Sequence, residues 1–239
     1  MAGGPFGYGW AMDFRIISIG TLASNELWNE RGGVRTGHAT TTLIISGKQR
    51  ILVDPGLPEQ VLVARLQERV NVRASEVTHV FLTSFLPDTR RGILAFDNAV
   101  WWVSSEERER MGGAIAAKLK EMVEDDDPDT TVRRVLEQDI AVLKRCQPAP
   151  DHLAERVDLF PLHGVTPGLS GLILSGERFT TVVTGDAIAT QEHLEQGKVL
   201  ASAHDVEKAR ASFEEAVEVA DLLILGRDNV VVNPTRRPF

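Results

Sequence analysis

Cysteine is nearly absent from this 239-residue chain, where Cys146 stands alone. No intrachain disulfide can form, a cysteine-rich zinc site is excluded, and the thiol is expected to be a small packing group. No apolar run approaches the ~20 residues needed to cross a bilayer, so no membrane span is expected. The first residues, Met1 to Trp10, have neither the charged nor the apolar region of a secretory signal. Residues 1–12 are expected to form a flexible leader and 13–239 a single domain, with a cytoplasmic location. Basic residues are outnumbered, 26 Lys and Arg against 34 Asp and Glu, and the net charge of −8 removes the basic footprint of a nucleic-acid binder. There is no internal repeat and no low-complexity segment. What remains, 43% hydrophobic and 25% charged residues, is ordinary for a soluble globular protein.

Short β-branched runs bounded by glycine and polar residues predict strands over Phe14 to Gly20, Thr40 to Ile45, Ile51 to Asp54, Val77 to Thr83 and Ala99 to Ser104. A polar loop with three glycines runs from Trp28 to His38. Val61, Val63, Leu66 and Val70 repeat at helical spacing after Pro58. Ser104 or Ser105 reads as an N-cap, with Glu106 and Glu107 in the first turn of a helix that places Ile115, Leu119 and Met122 on one face. Asp125 to Asp129 breaks that helix in a solvated turn. A second helix follows, striped by Val132, Leu136, Ile140 and Leu143. The pair, near 104–146, reads either as an insertion covering a central site or as a plain helical hairpin. Strands return over 158–162, 171–175, 180–184 and 221–225, with an amphipathic helix from Asp205 to Val219 between the last two.

Five blocks at predicted strand ends carry chemical information. They are Ile51 to Gly56 (ILVDPG), Thr83 to Gly92 (TSFLPDTRRG), His163 to Leu169 (HGVTPGL), Val183 to Ala187 (VTGDA) and Ile224 to Asn229 (ILGRDN). In this order they resemble the metal-binding blocks of the metallo-β-lactamase superfamily, over roughly Arg15 to Val232. The resemblance implies an α/β fold, a four-layer αββα sandwich. It also implies a dinuclear zinc site whose bridging hydroxide attacks an ester, thioester, lactone, amide or phosphodiester. A metal ion supplies hydroxide by lowering the pKa of bound water to about 7.

The positions that the resemblance assigns to metal ligands hold Ser84, Leu86, Asp88, Thr89, Val165, Asp186 and Arg227. Only the two aspartates keep a ligand's chemistry. Zinc prefers nitrogen and sulfur donors, so no metal and no other cofactor is expected, and no catalytic residue is assigned. A hard cation at Asp88 and Asp186 is the alternative. Two facing carboxylates repel unless compensated, and Arg227 is expected to pair with one or both of them. Arg90 is expected either to assist or to lie exposed at a helix start. Leu86, Val165 and Leu169 are expected to fill the space of lost imidazoles.

Among the histidines, His38 and His163 are the candidate ligand contacts. His79 reads as a packed core residue, and His152, His193 and His204 as surface residues. Ser84 has no G-x-S-x-G context and no aligned base, which argues against a serine hydrolase. The expected function is therefore a non-catalytic pseudo-hydrolase acting through binding of an unknown small molecule or protein partner, a second copy of the chain included as a homo-oligomer. The alternatives are a hydrolase with an atypical metal site around Asp88 and Asp186, and a structural subunit. Trp101 and Trp102 are expected to point to opposite faces of their strand, each packed under a covering layer.

Overall fold

Strand alternation in this chain sorts side chains into three separate cores. The computed structural model describes residues 12–124 and 130–236. Most of the expected leader and the expected turn at Asp125 to Asp129 lie outside them. In the first sheet, β1 (Asp13–Ser18), β2 (Thr41–Ser46) and β3 (Gln49–Val53) pair antiparallel, and β4 (His79–Leu82), β5 (Val100–Val103) and β6 (Gln147–Pro148) then add parallel to β3. In the second, β7 (His152–Ala154), β8 (Val157–Pro161), β9 (Ser170–Ser175) and β10 (Thr180–Gly185) pair antiparallel. There β11 (Leu222–Leu225) joins β10 in parallel, and β12 (Val230–Val232) closes the edge.

Because successive side chains point to opposite faces of a strand, each central strand feeds two cores. Ile51, Val53, Phe81 and Trp102 from the first sheet meet Leu172, Leu174, Val183 and Ile224 from the second. Their neighbours Leu52, Val80, Leu82 and Trp101 face outward, under α1 (Glu59–Val70), α3 (Ser105–Glu124) and α4 (Thr130–Arg145). Val182, Leu223 and Leu225 face the other way, toward α5 (Gln191–Gln196) and α6 (Val206–Val219). The result is the expected αββα sandwich.

The tryptophan pair follows the same alternation. Trp101 is 1% exposed, donates Nε1–H to the Phe96 carbonyl at 2.9 Å and carries the Arg145 guanidinium on its ring. Trp102 enters the space between the sheets and stacks on His79, with ring centroids 4.0 Å apart. Cys146 is buried, and burial pushes its thiol up to about 11, so it is a packing group.

The helices at 104–146 do not lie over a central pocket. Ile115, Leu143, Leu119 and Ile140 pack on the outer face of the first sheet, so α3 and α4 form the outer layer of the sandwich. Their apolar stripes are required by that sheet face, which would otherwise be open to water. No helix among the described residues is long and apolar enough to cross a membrane.

Candidate functional site

The residues of the five blocks converge because parallel pairing puts the carboxyl ends of β3, β4, β10 and β11 at one edge of the sandwich. In sheets of this kind, the loops after those ends form the binding crevice. Asp54 follows β3, Thr83 and Ser84 follow β4, Asp186 follows β10, and Gly226 and Arg227 follow β11. Two glycines permit the approach. Gly185 has φ 51° and ψ −150°, a conformation reserved for glycine, and a Cβ there would lie 2.8 Å from the Thr83 side chain. A Cβ on Gly226 would sit 2.4 Å from the Gly185 carbonyl carbon. The Arg227 backbone N–H donates to Ala189 O at 2.7 Å, which fixes the direction of its side chain.

Arg227 is 5% exposed and lies between Asp186 and Asp88. Its Nε and Nη2 each donate to one oxygen of Asp186 at 2.7 Å, and its Nη1 donates to Asp88 Oδ2 at 3.0 Å. This is the bidentate fork that a lysine cannot form. Burial by itself would lower the Arg227 pKa. The Asp186 charge and its hydrogen bonds, with Asp88 and Asp54 adding, more than offset this and hold it above the usual value. Arg227 is thus a permanent cation. Asp88 also accepts from Arg91 Nη2 at 3.3 Å, and Arg91 reaches the Gly37 carbonyl at 3.1 Å.

Asp54 is a third carboxylate beside this group, 2% exposed and in the left-handed region at φ 48°. It accepts from the Thr83 backbone N–H at 2.8 Å and from Thr83 Oγ1 at 2.7 Å. Burial pushes its carboxyl up to about 7, with Asp186 adding to the rise and the Thr83 hydrogen bonds and Arg227 opposing it. Its Asp-Pro-Gly context marked the block in the sequence, but its electrostatic coupling to Asp186 and Arg227 was not anticipated.

The other expected site residues divide. Thr89 is buried and donates Oγ1–H to the Ser84 and Leu86 carbonyls at 2.7 and 2.9 Å, so it fastens the loop. Ser84 is fully buried and its Oγ has no hydrogen-bond partner. Leu86 is half-buried at the start of α2 (Pro87–Arg90). Val165 and Leu169 do not fill an imidazole space at the arginine. They pack with Phe160, Leu162, Ala209 and Phe213 in the core under α6, because their loop docks there through His204 N–H to Val165 O and Asp205 N–H to Gly164 O.

The histidines and Arg90 also move. His38 pairs with Thr21 through backbone hydrogen bonds and turns Nε2 to the Ile19 carbonyl at 3.1 Å. His163 pairs with Glu106, 3.3 Å away, on the outer side of its loop. Arg90 neither joins the group nor lies exposed: it pairs with Asp139 of α4 at 2.7 Å and covers the Phe85 ring. His193, expected at the surface, is 4% exposed.

Glu107 is the residue that sequence reasoning placed only as a helix-start acid. Fully buried, it accepts from the Phe85 N–H at 2.8 Å, Thr166 Oγ1 at 2.8 Å and the Gly168 N–H at 3.0 Å. One carboxylate thereby ties the loop after β4 to the loop before β9. Burial raises its pKa, against those three donors and the His163 charge. Ser104 caps the helix, accepting from the Glu107 N–H at 3.1 Å.

A cavity of about 120 Å³ opens beside Arg227, walled by Trp28, Arg35, Thr190, Glu192 and Asp228. Asn25 also lines it and is 1% exposed. Its Oδ1 accepts from the Leu27 N–H at 3.0 Å, which fixes the amide's orientation and leaves Nδ2 buried without a partner. Such an orphan donor costs about 1–3 kcal/mol when nothing meets it.

The fold is of the metallo-β-lactamase type, and similar solved structures share it. One, described provisionally as a metallo-β-lactamase from Thermotoga maritima, has a TM-score of 0.66 at 16% identity, covering 93% of this chain and 99% of that one. A probable metal-dependent hydrolase from Staphylococcus aureus has a TM-score of 0.66 at 12% identity, covering 92% and 90%. AidC, described as a dizinc quorum-quenching lactonase, has a TM-score of 0.60 at 19% identity, covering 87% and 80%. No protein-family model and no curated protein matches the chain.

These neighbours correct the expectation that no cofactor is involved. One is described as a dizinc enzyme and another as metal-dependent, and that similarity implies a metal cofactor. The chain's own donors are the test of the implication at this position. Zinc takes imidazole, thiolate and carboxylate ligands. Here Ser84 and Thr89 are committed to the loop interior, Leu86 and Val165 have no donor atoms, and both aspartates are engaged by Arg227. Among the described residues, no group of three or more His, Cys, Asp or Glu is placed to hold a metal ion. The residues at the arginine site do not fit a dizinc centre, nor a hard cation at Asp88 and Asp186, and no reaction step is derived through one.

Proposed function

We propose that this chain is a hydrolase-fold protein whose central site binds a ligand or partner without hydrolysing it. The observation that carries the reading is the Arg227 guanidinium shared by Asp186 and Asp88 at the strand ends, among the blocks that resemble a metal site. A buried, hydrogen-bonded arginine and two acceptor-only carboxylates supply neither a nucleophile nor a base with a free site. Ser84 has a hydroxyl, but it is sealed from solvent and no base touches it. The cavity beside Arg227 has a different character. It offers an orphan donor on Asn25, a wall that includes Trp28, and mixed charges from Arg35, Glu192 and Asp228, which suits a small polar ligand.

The test pairs two assays on the wild-type chain. Thermal shift is measured against a panel of small polar acids, amides and lactones, and turnover against p-nitrophenyl esters, acyl lactones and bis-p-nitrophenyl phosphate, each with and without added zinc. Stabilisation by at least one compound, weakened by Asn25→Ala, with no turnover above background, is the expected result. Turnover that disappears in Asp186→Asn would overturn the reading.

A further inference from the structure

A second cavity, of about 440 Å³, lies between α5 and the start of α6, on the far side of the 26–28 turn from the Arg227 site. Its size is within the range of small-molecule sites, which are apolar clefts with a few placed polar groups. Leu27, Leu200 and Val206 give it an apolar wall. Val206, the first residue of α6, is 40% exposed. Two cations, Lys198 and Arg210, stand at the rim, and neither has an ion-pair partner among the described residues. Glu26 is the acid facing them, so the rim carries a net positive charge.

The polar group inside is His193, and its proton position follows from counting. Thr190 has one hydroxyl proton, and its Oγ1 donates it to Glu192 Oε2 at 2.6 Å. The same Oγ1 lies 2.9 Å from His193 Nδ1, so that contact requires the proton to be on Nδ1. Nε2 is then a bare acceptor on a ring that forms part of the cavity wall. Burial favours this neutral form, with Lys198 in the same direction and Glu192, Glu26 and Asp186 opposing. Nε2 makes no hydrogen bond among the described residues, which leaves it for a donor that enters the cavity.

We propose that this cavity is a second ligand site, for a small carboxylic acid bearing an apolar tail and a hydroxyl group. The carboxylate sits between Lys198 and Arg210, the tail lies on Leu27, Leu200 and Val206, and the hydroxyl donates to His193 Nε2. The site is independent of the reading given to Arg227, and either can fail alone.

Isothermal titration calorimetry tests it with propanoate, butanoate, hexanoate, 2- and 3-hydroxyhexanoate and 1-hexanol. Affinity is expected to rise about three- to fourfold per methylene along the plain acids. At least one hydroxy acid should exceed hexanoate, and hexanol should bind about tenfold more weakly than either, for want of the charge-assisted contacts. Lys198→Ala with Arg210→Ala, both exposed and safe for folding, should lower acid affinity at least about tenfold and leave hexanol unchanged. His193→Asn keeps an Nδ2 donor for Thr190 and removes the acceptor at Nε2, its amide oxygen falling where ring carbon Cδ2 was, and should erase the preference for the hydroxyl. The proposal is overturned if no acid binds in the millimolar range, or if the Lys198/Arg210 double variant binds acids as tightly as the wild type.

Discussion

Arg227 meets Asp186 fork to fork, with two donor–acceptor distances of 2.7 Å and both side chains 4% exposed. The contact joins residues from the ends of two adjacent parallel strands, β10 and β11, so a local event on either strand is felt at both. Removing one member of such a pair leaves a buried charge without a partner. Arg227→Ala is therefore expected to destabilise the fold by about 3–5 kcal/mol in urea denaturation. Replacing the pair together, as Arg227→Met with Asp186→Leu, should recover most of that loss, because the desolvation cost of both charges is removed.

The same contact sets a competition. Any cation that uses Asp88 and Asp186 must displace the guanidinium. Arg227→Ala frees both carboxylates, so added zinc is expected to raise the melting temperature of the variant by more than that of the wild type. Equal shifts would show that the arginine does not control access to these carboxylates.

Asp54 makes stability depend on pH in a defined direction. Its folded pKa of about 7 lies above the ordinary carboxylate value of 3.8. The folded state therefore holds a proton that the unfolded state has lost between about pH 4 and pH 7. Stability contributed by this group is complete below that window and declines as pH rises through it. Asp54→Asn should flatten this part of the stability–pH curve. A variant curve parallel to the wild type would assign the dependence to other groups.

Glu107 is expected to act as a clasp between two loops. Glu107→Gln keeps one acceptor oxygen for three donors and should cost about 1–3 kcal/mol. The specific sign is faster amide exchange at both Phe85 and Gly168, read by NMR. Uniform acceleration across the chain would indicate loss of global stability alone.

Much of the architecture was legible because it is local. Alternation in ILVDPG and VTGDA gives strand, buried face and turn within six residues, and the resemblance carried by the five blocks in order implied the sandwich. The pairing of Arg227 with Asp186 and Asp88 was legible for a different reason, since two carboxylates at one place demand a cation. Glu107 was not legible as a clasp. Its partners lie 22, 59 and 61 residues away in the chain, and nothing in a helix's first turn reveals that reach. Val165 and Leu169 were expected to fill the space of lost imidazoles, but the docking of their loop on α6 decides which core receives them. His193 sits among polar neighbours in a six-residue helix, and its burial comes from tertiary packing rather than from periodicity.

The account rests on Arg227 as the group that holds the central carboxylates, and a double-mutant cycle measures that directly. Urea denaturation of wild type, Arg227→Met, Asp186→Asn and the double variant gives the coupling energy between the two side chains. A favourable coupling of at least about 2 kcal/mol is the predicted result for a buried, bidentate pair. A coupling near zero would mean that the two side chains act independently, and the account of the site as an arginine-centred one would be contradicted.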